Sequence, residues 1–295
     1  MKVIDSIVLN QEAGNLSYRL IDINADYTIL YFHGVPGSKL DTDIFKPYAE
    51  RFGFNLLSFD RPGFGKSEFY EYSPDSITLD VTKLLNELGI TDYSCIGYSA
   101  GAVYMQHLAQ YGEVRPRVLV DIAGWLSIKG HNELIKQLSI FDRFAVANLS
   151  KNNWAIKYPY YLVMAALDRY GKDNIGFEKT ADRLSKLAGK SFSPANDNIR
   201  DAICDSFRYA LNKSEIGISY ALKLIMGGTD VSIKEIRQPY FSWHGTEDSY
   251  CPLGFMDYKK EYISDFQIYL KKGENHFSIF KYAEEIIKHI KEEIR

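Results

Sequence analysis

The sequence predicts an α/β fold: a mostly parallel, eight-stranded sheet with helices on both faces, interrupted once by an inserted helical cap. Three observations carry that prediction. Short runs of consecutive apolar residues alternate with segments whose apolar residues recur at helical spacing, the pattern of strands buried on both faces and joined by helices. The alternation stops near Gly124 and resumes near Arg237 with the same character. The segments richest in glycine, histidine and aspartate fall at the carboxyl ends of the apolar runs, where open α/β sheets place their sites.

In chain order, residues 2–9 and 16–22 alternate or run apolar around Gln11-Glu-Ala-Gly-Asn15 and read as an N-terminal hairpin. Thr28-Ile-Leu-Tyr-Phe-His33 is a continuous apolar strand, followed by one helix over about 41–52, with Asp41 or Asp43 as its cap. Phe54-Asn-Leu-Leu-Ser-Phe59 is the next strand. Residues 75–88 carry apolar side chains at 77, 81, 84, 85 and 88, a helical period that stops at Gly89. The run from Tyr93 turns into a helix reaching Gly112, and Val118-Leu-Val-Asp-Ile122 is a further strand. After the interruption come strand 239–244, a helix near 254–263, strand 266–270 and a C-terminal helix of about 278–293. The expected division is a core of 1–123 and 237–295 with a helical cap at 124–236. That cap is rich in aromatics: Trp125, Phe141, Phe144, Trp154, Tyr158, Tyr160, Tyr161, Phe207, Tyr209 and Tyr220.

Composition narrows the function. The 295 residues are 46% hydrophobic and 25% charged, with a net charge of −3 and both signs interspersed. Nucleic-acid binding calls for clustered Lys and Arg, and none is present. Three widely spaced cysteines, Cys95, Cys204 and Cys251, with no C-x-x-C, point to free thiols in a reducing compartment. Met1-Lys-Val-Ile-Asp5 meets a charge too early for a signal-peptide core. Residues 93–112 lack formal charge, but three glycines, two glutamines and a histidine argue against a membrane span. The expectation is a cytoplasmic monomer or homodimer that acts on a small-molecule substrate without nucleic acid or membrane.

The chemistry centres on Gly97-Tyr98-Ser99-Ala100-Gly101. A serine in G-x-S-x-G between a strand and a helix is the nucleophile-elbow arrangement. The turn strains its central residue and leaves no room two positions to either side, which suits glycine. Ser99 Oγ then stands at the positive end of the following helix. His33-Gly-Val-Pro-Gly-Ser38 follows the third strand, where the Val35 N–H and the Ala100 N–H would form a two-donor oxyanion hole. Asp248 in His244-Gly-Thr-Glu-Asp-Ser249 and His276 in Lys272-Gly-Glu-Asn-His-Phe277 follow the last two strands. Ser99, Asp248 and His276 thus appear in the order of a serine triad on this type of sheet, with His276 as base and Asp248 as its orienting acid.

Together these motifs resemble the α/β-hydrolase superfamily from about residue 25 to the C-terminus. The matching segments are His33-Gly34-x-Pro36-Gly37, Asp60-Arg61-Pro62-Gly63-x-Gly65-x-Ser67, Gly97-x-Ser99-x-Gly101, Gly245-x-x-Asp248 and the His276 loop. The resemblance is to the capped group of prolyl iminopeptidases, epoxide hydrolases, haloalkane dehalogenases and carbon–carbon bond hydrolases. It implies the triad Ser99, Asp248 and His276 and the oxyanion donors Val35 and Ala100. Gly34, Tyr98 and Phe277, beside these residues in the chain, and Trp125, one of the cap aromatics, are the expected substrate contacts.

Departures from the group narrow the chemistry. Dehalogenases and epoxide hydrolases attack with aspartate, so Ser99 argues against both reactions. Prolyl iminopeptidases often carry Trp where this chain has Ala100. A peptidase would also need a cap acid for the substrate amine, with Glu178, Asp182, Asp201, Asp205 and Glu215 as candidates. Glu247 and Asp121 compete with Asp248 as the triad acid. Asp60-Arg61 reads as a structural ion pair below the site, and His107 as a packing residue. Gly65-Lys66-Ser67 lacks the first glycine of a P-loop. No metal-spaced cluster appears, so neither metal nor cofactor is expected. The expected activity is that of a serine hydrolase working through an acyl-enzyme on a small, partly apolar ester or amide. The alternatives are an aminopeptidase, a carbon–carbon bond hydrolase and a non-enzymatic ligand receptor.

Overall fold

A computed structural model gives the fold and describes residues 1–10, 14–149, 165–167, 169–211 and 215–295. Lys2–Asn10 (β1) and Gly14–Asp22 (β2) pair antiparallel, with Ile4 opposite Leu20. The remaining strands are Thr28–Phe32 (β3), Asn55–Phe59 (β4), Tyr93–Tyr98 (β5), Leu119–Ile122 (β6), Tyr240–Gly245 (β7) and Phe266–Lys271 (β8). They form one eight-stranded sheet in the order β1-β2-β4-β3-β5-β6-β7-β8. β2 meets β4 antiparallel, and every pairing from β4 to β8 is parallel. β5 lies between β3 and β6, so whatever follows its carboxyl end stands over the middle of the sheet.

The central strands are apolar throughout because helices cover both faces. On one face Val81, Leu84 and Leu85 of Pro74–Glu87 (α2), Val103 and Leu108 of Gly101–Tyr111 (α3) and Phe255 pack on Leu30, Leu57 and Cys95. On the other face Ala49 and the C-terminal Ile286, Ile287 and Ile290 pack on Ile29, Leu56 and Ile96. α2 starts at Ser73, whose hydroxyl accepts from the Ser76 N–H while the Ser76 side chain answers the Ser73 N–H. At the β8 edge the sheet is half open, and Ile268 and Leu270 are exposed.

The helix expected over 41–52 is two pieces. A 3-10 helix at Lys39–Ile44 is capped by Ser38, not by Asp41 or Asp43, and Lys46–Phe52 (α1) follows. Pro47 in the first turn of α1 has no N–H to continue a preceding helix. Asp41 is turned into the core, and Asp43 accepts from Arg19 at 3.0 Å. The C-terminal segment likewise divides into a 3-10 helix at Ser278–Tyr282 and an α-helix at Ala283–Glu293.

Between β6 and β7 the described residues form helices and turns and no strand. These helices include Asn132–Ile135 (α4), Ile140–Leu149 (α5), Asn174–Leu187 (α6), Asp197–Leu211 (α7) and Glu215–Lys223 (α8), the last running into a π-helical turn at Leu224–Gly228. Trp154, Tyr158, Tyr160 and Tyr161 lie outside the described residues. α7 buries Ile199, Ile203, Phe207 and Ala210 along one stripe, the periodicity of a helix laid on a core. It is fastened by polar contacts as well. Ser206 Oγ lies 2.8 Å from Ser38 Oγ, and the Tyr209 hydroxyl donates to Asp60 Oδ2 at 3.2 Å. Among the described residues no helix is long and apolar enough to cross a membrane.

Candidate active site

Ser99 sits where β5 turns into α3, with φ at +51°, in the left-handed region that a non-glycine residue rarely enters. Neighbouring backbone holds it there. Its N–H donates to the Ile122 carbonyl at 3.0 Å, and its carbonyl accepts from the N–H groups of Trp125 at 2.9 Å and Ala102 at 3.1 Å. The flanking glycines are required by close approach. A Cβ on Gly101 would collide with the Phe32 carbonyl, and one on Gly97 would lie 2.7 Å from Ala102 Cα. Residue 99 is therefore lifted above the sheet while the chain around it is packed tightly.

Asp248 follows β7 and His276 follows β8, neighbouring parallel strands, and this adjacency brings the two loops together. His276 Nδ1 lies 2.8 Å from Asp248 Oδ2. A carboxylate only accepts, so Nδ1 is the donor in this contact, and in the neutral ring Nε2 is then the acceptor nitrogen. The other oxygen, Asp248 Oδ1, accepts from the N–H groups of Tyr250 at 2.8 Å and Cys251 at 2.9 Å. Burial alone would raise the Asp248 pKa. The charge and hydrogen bond of His276, His244 nearby and the Cys251 N–H outweigh it and hold the carboxyl below its usual range.

The His276 ring lies between two tyrosines, 5.1 Å from the Tyr98 ring centroid and 4.9 Å from that of Tyr250. Tyr98 also donates its hydroxyl to the His276 carbonyl at 3.2 Å. A Cβ on Gly34 would stand 2.9 Å from the Tyr98 ring and 3.3 Å from Ser99 Cβ, so the loop after β3 touches the elbow directly. Neither the Val35 N–H nor the Ala100 N–H has an acceptor among the described residues. No hydrogen bond joins Ser99 Oγ to His276 among them either; such contacts are often long before substrate binds.

Phe277 is buried against Phe192, with ring centroids 4.5 Å apart, and near Phe207 at 6.2 Å, so the segment between β6 and β7 reaches the His276 loop. The Trp125 ring is buried and packs edge-on against Phe255, while its N–H donates to the Ser99 carbonyl. The competing acids have other partners. Asp121 is fully buried and bound to Lys259 Nζ at 2.5 Å, to the Tyr240 hydroxyl and to Ser242. Glu247 is exposed. His107 is buried as expected of a packing residue, with Thr78 Oγ1 2.8 Å from its Nδ1. The expected Asp60–Arg61 ion pair is absent among the described residues. Asp60 accepts from backbone N–H groups and Tyr209, while Arg61 donates to the carbonyls of His33 and Gly34.

Two contributors, Tyr250 and Asn275, escaped the sequence reading. Tyr250 bridges His276 to Ser185, its hydroxyl donating at 2.9 Å. Asn275 shapes the histidine loop by accepting from the N–H groups of Phe277 and Ser278, and donates to the Ser193 carbonyl at 3.0 Å. Asparagine two residues before such N–H groups is a turn signal that could have marked it. Cys251, Asp248 and His276 place ligand-type atoms within 4.8 Å of one another. As a metal site the set fits poorly: both Asp248 oxygens are engaged, and burial pushes the Cys251 thiol well up, against the thiolate a metal needs.

Sheet order, strand-end loops and elbow together define an α/β-hydrolase fold. Residues 27–122 match the family model described as alpha/beta hydrolase fold. Among curated proteins the chain is similar to bifunctional epoxide hydrolase 2 of Sus scrofa, 26% identical over 130 residues, or 41% of this chain and 23% of that protein. It is also similar to sn-1-specific diacylglycerol lipase ABHD11 of Danio rerio, 37% identical over 117 residues, 37% of this chain and 36% of the other. The matches thus span about a quarter to a third of these relatives. An esterase from Exiguobacterium antarcticum superposes with a TM-score of 0.67 over 97% of this chain and 98% of its own, at 13% identity.

Proposed function

We propose that the protein is a serine hydrolase that cleaves small, partly apolar esters through an acyl-enzyme, with residues 124–236 as a cap over the site. The observation that carries the reading is the Asp248–His276 hydrogen bond at 2.8 Å, which leaves Nε2 as a base over a sheet whose central strand ends in Ser99. Ser99 Oγ attacks the substrate carbonyl as His276 Nε2 takes its proton. The N–H groups of Val35 and Ala100 hold the resulting oxyanion. His276 then gives the proton to the leaving group, and water activated by the same nitrogen releases the acid.

An ester is favoured over a peptide amine because each described candidate acid already lies beside a cation, Glu178 and Asp201 sharing Arg200 with Asp197. Arg200 faces Glu178 at 3.9 Å and Asp201 at 2.9 Å, Lys186 faces Asp182 at 2.5 Å, and Arg208 faces Asp205 at 3.3 Å. The Glu215 side chain lies outside the described residues. Phe192, Phe207 and Phe277 beside the histidine loop suit an apolar acyl group. The test is turnover of a short p-nitrophenyl ester and labelling by a fluorophosphonate. Both are expected from the parent and neither from a folded Ser99→Ala variant; turnover that survives in Ser99→Ala refutes the mechanism.

A further inference from the structure

Arg61 is fully buried, and among the described residues no carboxylate lies within ion-pair reach of it. Its guanidinium lies over the Phe64 and Tyr104 rings, 5.1 Å from each centroid. Its hydrogen bonds go to main chain: Nη1 donates to the His33 carbonyl and Nη2 to the Gly34 carbonyl at 2.7 Å. A buried guanidinium with no carboxylate in contact, and only the buried Asp41 carboxyl acting on it at longer range, is expensive, and packing alone would be served as well by an apolar side chain of similar volume.

The second donor to Gly34 comes from His33. The Arg61 N–H donates to His33 Nε2 at 3.1 Å, which leaves the ring proton on Nδ1, 2.9 Å from the Gly34 carbonyl oxygen. Burial, reinforced by the Arg61 charge, holds the His33 pKa well below its usual value, so this imidazole stays neutral. Both lone pairs of the Gly34 oxygen are therefore taken. The Gly34 carbonyl and the Val35 N–H belong to one trans peptide and point in opposite directions. Fixing the oxygen fixes the line of the N–H, and hydrogen bonds to a carbonyl strengthen the amide on its far side as a donor.

We infer that Arg61 is a positioning residue that aims and polarises the Val35 N–H for the oxyanion. The inference rests on the serine-hydrolase reading above. Its signature is selective loss where charge develops on oxygen. A thionoester carries sulfur, a poor acceptor, in place of that oxygen and gains little from the donor pair.

The experiment compares a p-nitrophenyl ester with its thiono counterpart in the parent, Arg61→Met and Arg61→Lys. In Arg61→Met, kcat for the oxoester is expected to fall about 10–100-fold with KM little changed, less than full removal of a donor costs. The oxo-to-thiono ratio of kcat/KM should fall about tenfold, with partial recovery in Arg61→Lys. An unchanged ratio overturns the inference whether or not both rates drop together. If Arg61→Met does not fold, the ratio in Arg61→Lys, expected between parent and a full loss, decides. A dead Ser99→Ala with an unchanged ratio in Arg61→Met removes the Arg61 role alone; turnover in Ser99→Ala removes both readings.

Discussion

Asp248 Oδ2 stands 2.8 Å from His276 Nδ1 while its other oxygen accepts two backbone N–H groups, so one carboxylate fixes both the imidazole and the loop after β7. The double engagement makes a clean substitution possible. Asp248→Asn keeps an oxygen for Tyr250 and Cys251 and presents an amide to His276. The imidazole then turns its acceptor nitrogen to the amide and its proton toward Ser99, the wrong tautomer for a base. Steady-state ester hydrolysis should show kcat reduced about 10⁴-fold with the unfolding midpoint close to the parent's. A reduction of less than tenfold contradicts the role.

Asp121 gives the opposite pattern. It is fully buried against Lys259, which also donates to the Gly124 carbonyl at 2.8 Å. Asp121→Asn strands the ammonium and should cost about 3–5 kcal/mol of stability in urea unfolding. Activity per folded molecule should stay within a few-fold. Equal loss of activity in Asp121→Asn and Asp248→Asn would show that the acid had been assigned to the wrong residue.

The elbow glycines make a stability prediction. A methyl group on Gly101 meets the Phe32 carbonyl, part of a central strand that cannot yield. Gly101→Ala should lose roughly 3 kcal/mol or more, or fail to fold. Gly53, with φ at +68° and open space where a Cβ would stand, provides the control. Gly53→Ala should cost about 1 kcal/mol, from backbone conformation alone. Thermal unfolding of the two variants side by side checks the contrast; equal losses would contradict it.

How much of this was legible in the sequence follows from what each feature depends on. The buried strands were visible because burial on both faces demands unbroken apolar runs such as Thr28-Ile-Leu-Tyr-Phe32. Pro47 was equally visible, yet the division of the first helix was missed, because a 3-10 turn and an α-helix share their apolar spacing closely. Arg61 next to Asp60 suggested a pair. Neighbours in a chain need not face each other, and here the guanidinium chose two carbonyls 27 and 28 positions away. Ser38 with Ser206, and Tyr250 with Ser185, join segments whose relative placement no local pattern encodes.

The fastening of α7 should respond to pH through Asp41. This carboxyl is buried beside Ser206 and the Tyr31 hydroxyl, 3.4 Å away. Burial raises its pKa to about 7, against hydrogen bonds from Ser206 and Tyr31 and the Arg61 charge, which lower it. In the unfolded chain an aspartate titrates near ~4. The folded state therefore holds this proton more tightly, so the contribution to stability is full below about pH 4 and is lost as pH rises through 7. Asp60, the acceptor for the Tyr209 hydroxyl, is raised by burial to about 6 and acts in the same direction. Asp41→Asn removes the first titration. Its unfolding temperature relative to the parent should rise between pH 5 and pH 8, by roughly 2–4 °C for each kcal/mol recovered. Parallel profiles for parent and variant across that range would show that the Asp41 carboxyl does not titrate between the folded and unfolded states as described.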